Sequence, residues 1–181
     1  MGKMAVTPRV KNLINDIAGL IRDKYGIQGP INDIDNIDNI VKRMGGRVVE
    51  DYLLDGFSDG KIRKLGEDNF EISVSPFQSN ERRNFTIAHE LGHLFLNMGF
   101  ETNDAKWTAQ NVEYYRNGNS DLEYQANEFA AAFLMPKDEY IKIMDENTVG
   151  DMVNTTRIAE YFHVSTEAAA NRGKWLGYLK W

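Results

Sequence analysis

The chain has 181 residues, of which 42% are hydrophobic and 27% are charged, and these values are ordinary for a globular protein with a real core. The formal net charge of -6 argues against a DNA-binding protein that coats phosphates with a basic face, although it does not exclude binding to a basic protein. Because cysteine is absent, disulfides and thiolate zinc sites are excluded, and any zinc must be held by imidazole and carboxylate groups.

The first residues of the chain carry charge but no apolar run of about 7–15 residues, so no secretory signal is predicted. Val6 stands where a myristoylation signal needs Ser or Thr. No apolar stretch approaches the length of a membrane span. We therefore expect a cytoplasmic protein.

Two amphipathic helices are predicted within residues 1–46. Thr7 can cap the first helix with Pro8 in its first position, and apolar residues at helical spacing extend this helix to about residue 25. Apolar residues from Ile34 to Met44 predict a second helix, which ends at a pair of glycines. We assign both helices to the packing of the core.

The pattern changes to that of strands between residues 47 and 75. The runs R-V-V-E-D-Y-L-L and N-F-E-I-S-V-S, with turn-forming residues between them, predict a small antiparallel sheet. In the second run Phe70, Ile72 and Val74 alternate with polar residues. This alternation predicts one buried face and one wet face.

A helix of roughly residues 80–97 follows, capped by Ser79 or Asn80, and it contains the run A-H-E-L-G-H-L. His89 and His93 lie about 40° apart around a helix and about 6 Å along it, so both rings can reach one ion at about 2.0–2.1 Å. Glu90 flanks that ion and can take a proton from water and return it to a leaving amine. This is the H-E-x-x-H arrangement of zinc metallopeptidases.

Gly92 adds a second indication, because glycine inside a helix costs about 1 kcal/mol relative to alanine. Its position between the two histidines predicts the close approach of another chain segment. The alternative is an apolar core helix whose histidines form hydrogen bonds with their neighbours. With three histidines in the chain, H-E-x-x-H arises by chance on the order of once in a few hundred sequences, so we favour the metal site.

A polar segment separates this helix from the next one. Residues 98–120 are rich in Asn, Gly, Thr and Asp and are predicted as a loop, and loops of that length tend to be functional or mobile. A strongly helical segment follows at about residues 121–135 and stops at Met135-Pro136. Its alanines let it lie close against the helix that carries Gly92.

The helix of residues 121–135 offers the third ligand that a catalytic zinc site needs beside an open position. Glu123 can bind the metal, while Asn127, one turn later, can accept a hydrogen bond from the distal N–H of a ligating histidine. Glu128 is the second choice of ligand. A further alternative is that both glutamates face solvent on an alanine-rich helix.

Two stretches of the chain resemble the ImmA/IrrE family of zinc metallopeptidases. One is R-N-F-T-I-A-H-E-L-G-H-L-F-L from Arg83, and the other is the E-x-x-A-N-x-F-A-A-x-x-L-M-P pattern that ends at Pro136. With a similar upstream sheet, the resemblance covers about residues 30–180. It departs from the family at His163, where relatives often have glycine.

The resemblance implies an α+β fold, a minimal gluzincin-like zincin domain. It implies that His89, His93 and Glu123 bind Zn2+ and that Glu90 is the catalytic base. It also implies a bacterial or phage-borne peptidase that cuts a helix-turn-helix repressor encoded nearby on a mobile element. Neither direct nucleic-acid binding nor a membrane location is expected.

Residues 137–181 predict a helical segment that resembles a helix-turn-helix, with Ser165 capping its second helix. That helix carries Glu167 against Arg172 and Lys174, which is too little positive charge for reading DNA. We therefore favour a packing module or a docking surface for the repressor.

Several side chains are candidates for stabilising an oxyanion in the transition state, and the sequence favours none of them: His163, Tyr114, Tyr115, Tyr124 and Arg116.

We expect one domain over residues 1–181, with its sheet and metal site in residues 47–136. The leading interpretation is a zinc-dependent endopeptidase. The alternatives are a zinc-binding regulatory module that does not cut its partner and a toxin-like member of a toxin–antitoxin pair. The oligomeric state stays open.

Overall fold

A computed structural model describes residues 7–32, 35–54, 59–109 and 120–180 of the chain. The first helix, α1, spans Pro8–Lys24, and the Thr7 hydroxyl accepts a hydrogen bond from the Val10 N–H at its start. The second, α2, spans Ile37–Arg43 and is capped by Asn36. Both predicted helices are therefore confirmed, although Ile34 lies outside the described residues.

The sheet has three strands, β1 (Gly46–Glu50), β2 (Gly60–Lys64) and β3 (Phe70–Val74), in the spatial order β1-β3-β2. β2 pairs with β3 in antiparallel fashion, but β1 runs parallel to β3. The prediction of an antiparallel sheet was therefore wrong for one of the two pairs. After β1 the chain passes to the far edge, forms β2 there and turns back into the centre, and residue alternation carries no information about that order.

The central strand β3 is buried on both faces, so the predicted wet face was also wrong. Glu71 and Ser73 are each only 5% exposed. The Glu71 carboxylate accepts hydrogen bonds from Nε of Arg47 at 2.7 Å and Nε of Arg63 at 2.8 Å, one arginine from each flanking strand. Burial raises the pKa of Glu71, but the two guanidinium groups outweigh burial and hold it below its ordinary value.

Helix α3 spans Asn80–Gly92 and is capped by Ser79, whose hydroxyl accepts from the Arg82 N–H. The predicted single helix to residue 97 changes character at its end, because His93–Met98 form a π-helix. A short helix α4 (Asp104–Thr108) lies within the segment that was predicted as loop. Residues 110–119 of that segment lie outside the described residues.

Helix α5 spans Ser120–Leu134 and packs across α3. A Cβ atom at Gly92 would lie 2.9 Å from Cα of Ala126 and 3.2 Å from Cβ of Phe129. The close approach of another segment at Gly92 is thus confirmed. Because α1 covers α5 and the sheet covers α3, the α3–α5 contact lies in the middle of the core.

The chain continues with α6 (Lys137–Glu146) and a hairpin of β4 (Thr148–Val149) and β5 (Met152–Val153). Two further helices follow, α7 (Thr155–Phe162) and α8 (Thr166–Trp175), which flank a tight turn where His163 has φ 53°. The Ser165 hydroxyl caps α8 by accepting from the Ala168 N–H. In the part of the chain that the structure describes, every helix is too short or too polar to cross a bilayer.

Candidate metal centre

The predicted site residues come from three neighbouring pieces of backbone. His89 and Glu90 lie in the last turns of α3, His93 is the first residue of the π-helix, and Glu123 lies in the first turn of α5. The side chains of His89 and Glu90 are each 1% exposed, and His93 is fully buried. The α3–α5 contact at Gly92 brings Glu123 to the two histidines, although it lies thirty residues further along the chain.

The ligand atoms of three side chains converge on one point. Nε2 of His89 lies 3.0 Å from Nε2 of His93, and the Glu123 carboxylate oxygens lie 3.2 Å and 3.3 Å from those two nitrogens. Tetrahedral donors at about 2.0–2.1 Å from a zinc ion lie about 3.3 Å from one another. His89, His93 and Glu123 therefore form a group that can hold a metal ion, and their spacing suits a small tetrahedral one.

The ring nitrogen of each histidine that points away from the centre contacts the side-chain oxygen of an asparagine. Nδ1 of His89 lies 2.8 Å from Oδ1 of Asn127, and Nδ1 of His93 lies 2.7 Å from Oδ1 of Asn97. Because an amide oxygen can only accept, each ring donates its Nδ1–H and directs an Nε2 lone pair at the centre. Asn127 stands where the sequence predicted it, but Asn97 was missed. The sequence spacing could have predicted it, since Asn97 follows His93 by the same four residues that separate His89 from His93.

The π-helix is the local feature that carries Asn97. Its widened turn frees backbone carbonyls, and the Thr102 hydroxyl donates to the Phe95 carbonyl at 2.7 Å. The segment ends at Gly99, whose φ of 85° is a left-handed conformation that favours glycine. π-helical turns recur at functional sites because they shift side chains relative to a regular helix. Here the π-helix carries both the candidate ligand His93 and the amide that orients it.

Glu90 lies on the side of α3 that faces the sheet. A Cβ atom at Gly60 would lie 2.6 Å from Cγ2 of Thr86 and 3.2 Å from Oε1 of Glu90. The start of β2 therefore packs directly on the Glu90 side chain, and a larger residue at position 60 would displace it. This contact fixes a buried carboxylate one residue away from a metal-ligand candidate.

The charge of Glu123 suits a ligand. Burial raises the pKa of this carboxyl, but its contacts with the rings of His89 and His93 outweigh burial and hold the pKa well below its ordinary range. The group is therefore ionised at neutral pH, as a metal-binding carboxylate must be.

A family comparison agrees with this geometry. The family model described as the IrrE N-terminal-like domain, Peptidase_M78, matches residues 54–174. The chain belongs to this family. The family is one of peptidases, and the resemblance inferred from the sequence motifs is thus confirmed.

A solved structure is similar in fold to this IrrE-like chain. The chain superposes on a Mycobacterium tuberculosis transcriptional regulator with a TM-score of 0.62 over 89% of its own length, at 19% sequence identity. It spans 46% of that regulator, so it is about half as long. At this identity the likeness shows the fold alone. No curated protein sequence matched the chain.

A cleft borders the candidate metal centre of this IrrE-like domain. Its volume is about 600 Å³, and its walls come from α3, α5 and α8. His89 and Glu123 are part of the wall, so the centre adjoins a space that can hold a short peptide segment.

The second-choice ligand, Glu128, has a different role. Its carboxylate is 2% exposed and accepts from Asn15 at 2.7 Å and from Arg172 at 3.3 Å. The hypothesis that Glu128 binds the metal is therefore wrong, because its side chain joins α5 to α1 and α8.

Among the oxyanion candidates, Tyr124 lines the cleft and His163 is exposed at the α7–α8 turn. The other three, Tyr114, Tyr115 and Arg116, lie outside the described residues.

Proposed function

We propose that the chain is a zinc-dependent endopeptidase. The observation that carries this proposal is the convergence of His89, His93 and Glu123 at 3.0–3.3 Å, with both imidazoles oriented by amide oxygens. Two histidines and one carboxylate are a ligand set of catalytic zinc sites, in which a further position stays open for water or substrate. Membership of a peptidase family supports the same reaction class.

In the proposed reaction the residues of the chain have separate tasks. His89, His93 and Glu123 would hold the zinc ion, which would supply a Lewis acid for the scissile carbonyl and for a water molecule. Glu90 takes a proton from the attacking water on a carboxylate oxygen and delivers it to the nitrogen of the leaving amine. Asn97 and Asn127 keep both imidazoles in the tautomer with a free Nε2 lone pair. The cleft holds the peptide beside them.

The proposed substrate is a DNA-binding helix-turn-helix repressor encoded near the protease gene on a mobile element, and the proposed location is the cytoplasm. The support is the family resemblance of the two sequence motifs and the net charge of -6, which favours encounter with a basic partner. Cleavage of the repressor would relieve repression.

The test is to incubate the zinc-loaded full chain with the repressor encoded beside its gene and to identify products by mass spectrometry. Wild type is expected to give one discrete pair of fragments. Glu90→Gln should keep zinc and lose cleavage, because its amide cannot accept the proton, whereas His93→Ala should lose both. Cleavage by Glu90→Gln at the wild-type rate would overturn the mechanism.

A second candidate is a zinc-containing regulator that binds its partner without cutting it. The specific observation in its favour is the fold shared with a protein described as a transcriptional regulator. A pulldown of intact repressor by the zinc-loaded wild type, with no fragment after prolonged incubation, would favour this candidate over the peptidase. Growth arrest on expression, relieved by a neighbouring gene, would instead favour a toxin-like role.

A further inference from the structure

The cleft beside the metal centre has α8 as its outer wall. Glu167 and Asn171 of this helix line the cleft together with Glu81 and Phe85 of α3. In a helix-turn-helix that binds DNA, the second helix carries the residues that read bases. Here the corresponding helix turns part of its surface to the cleft, so its side chains can contact whatever is bound beside His89 and Glu123.

The cationic side chains among the cleft residues already have partners. The Arg82 guanidinium pairs with Asp59, and the Arg172 guanidinium, which is 1% exposed, pairs with Glu128. Glu81 and Glu167, by contrast, are exposed carboxylates, and neither forms an ion pair with an arginine or lysine that the structure describes. They belong to two of its walls, α3 and α8, so the cleft presents exposed negative charge to a ligand. His163 lies close enough to Glu81 to offset part of that charge when its imidazole is protonated.

An aromatic surface lies at the same cleft. Tyr124 is 48% exposed and stacks on Trp175, with ring centroids 6.5 Å apart. Nζ of Lys11 already lies 4.7 Å from the centre of the Trp175 ring. Aromatic faces attract ammonium and guanidinium groups, and they also pack against the aliphatic stems that carry those groups. The cleft therefore combines the two features that a long basic side chain requires.

We propose that this cleft binds a lysine or arginine side chain of the peptide substrate, with Glu81 and Glu167 as the residues that select it. The inference rests on the proposed endopeptidase function, because the side chain would lie within a few residues of the bond cut at the metal centre. It names a substrate class: peptides with a basic residue near the scissile bond. Acidic peptides would be repelled by the same carboxylates.

The test uses the full zinc-loaded chain and two pools of short fluorescent peptides. Both pools are randomised over neutral residues, and the central residue is lysine in one pool and glutamate in the other. Binding is measured by anisotropy with Glu90→Gln at low ionic strength, and cleavage sites are mapped by mass spectrometry with wild type. We expect the lysine pool to bind about tenfold more tightly or better, because each exposed charge contact contributes modestly. The preference should shrink as salt is added.

Charge substitutions make the test specific to the two glutamates. Glu81→Lys combined with Glu167→Lys should reverse the preference, and the corresponding pair of Gln substitutions should abolish it without reversal. Asp145→Lys combined with Glu146→Lys, at two exposed sites on α6 outside the cleft lining, makes the same total change of charge and should leave the preference intact.

The outcomes separate this inference from the proposed function. A lysine preference in binding without any cleavage supports the inference and contradicts the peptidase. Cleavage with no difference between the pools supports the peptidase and overturns the inference. Failure of both pools to bind, or a preference that is unchanged in the charge-reversed variant, also overturns the inference.

Discussion

The Nε2 atoms of His89 and His93 face each other at 3.0 Å, and each ring donates its Nδ1–H to the side-chain oxygen of an asparagine. Both Nε2 atoms therefore direct lone pairs at the same point, and an ionised carboxylate completes the group. Such an arrangement of acceptors is favourable when a cation lies among them. The two asparagines, from different helices, fix the imidazoles in the orientation that a metal site needs.

Asn97 provides the first prediction. Asn97→Ala removes the acceptor for a buried imidazole N–H, so zinc should bind about 10–100-fold more weakly than to wild type. Asn97→Asp keeps an acceptor at the same place and should bind zinc at least as well as wild type. Competition with a chromophoric chelator measures both constants, with circular dichroism to verify folding. Wild-type zinc affinity in folded Asn97→Ala would show that the contact does not orient the ligand.

Gly92 tests the contact that brings Glu123 to the histidines. In Gly92→Ala the new Cβ would lie 2.9 Å from a backbone atom of Ala126, which cannot move away as a flexible side chain can. We expect a loss of about 1–3 kcal/mol in the free energy of unfolding, despite the better helix propensity of alanine.

The control for Gly92 is Gly19→Ala in α1, where no described atom outside the adjoining backbone of the helix lies within 4 Å of the added Cβ. This exposed helical position should gain about 0.5–1 kcal/mol in stability. Urea denaturation measures both variants. A stabilised Gly92→Ala protein would contradict the close helix contact.

The buried pair of Arg172 and Glu128 joins α8 to α5 and thereby holds the outer wall of the cleft. Arg172→Met leaves the Glu128 carboxylate buried without its guanidinium partner, and we expect a loss of about 3–5 kcal/mol in the free energy of unfolding. Replacing both residues by apolar ones should recover most of that loss. Arg157→Met breaks the exposed pair with Glu160 and should cost less than about 1 kcal/mol. Equal losses in the two single variants would refute the assignment of a buried ion pair.

Glu71 gives a prediction about acid stability. Its pKa in the folded chain lies below the ordinary value of 4.5 because the two arginines outweigh burial. Its contribution to stability is therefore present above that value and is lost as the pH falls through the lower, folded-state pKa. The difference in the free energy of unfolding between wild type and Glu71→Gln should reach its largest value near neutral pH. It should become smaller as the pH falls through the lowered pKa of Glu71. A difference that stays constant across this range would contradict the depressed pKa.

Much of the fold follows from local patterns in the sequence. Thr7-Pro8 marks the start of α1, and the α3–α5 packing follows from Gly92 and from alanines such as Ala126. Strand order was not predictable, because β1 and β3 become parallel only through the passage of the chain to the far edge of the sheet. Glu71 appeared to face solvent for the same reason, since its burial depends on a strand to either side.

The site was predictable to a similar degree. Helical spacing alone brings His89 and His93 to one face, and the same rule pairs Glu123 with Asn127 on α5. The same spacing would have found Asn97, but the π-helix that begins at His93 is a change of backbone geometry that apolar periodicity does not reveal. The role of Glu128 was hidden because its partner Arg172 lies in a helix 44 residues further along the chain.

The most direct test of the central claim is the zinc content of the purified chain, measured by elemental analysis after removal of excess metal. The geometry at His89, His93 and Glu123 predicts one zinc ion per chain for wild type and for Glu90→Gln, and essentially none for His93→Ala. A folded wild-type chain that takes up no zinc, or a His93→Ala chain that still holds one ion, would contradict the proposed centre.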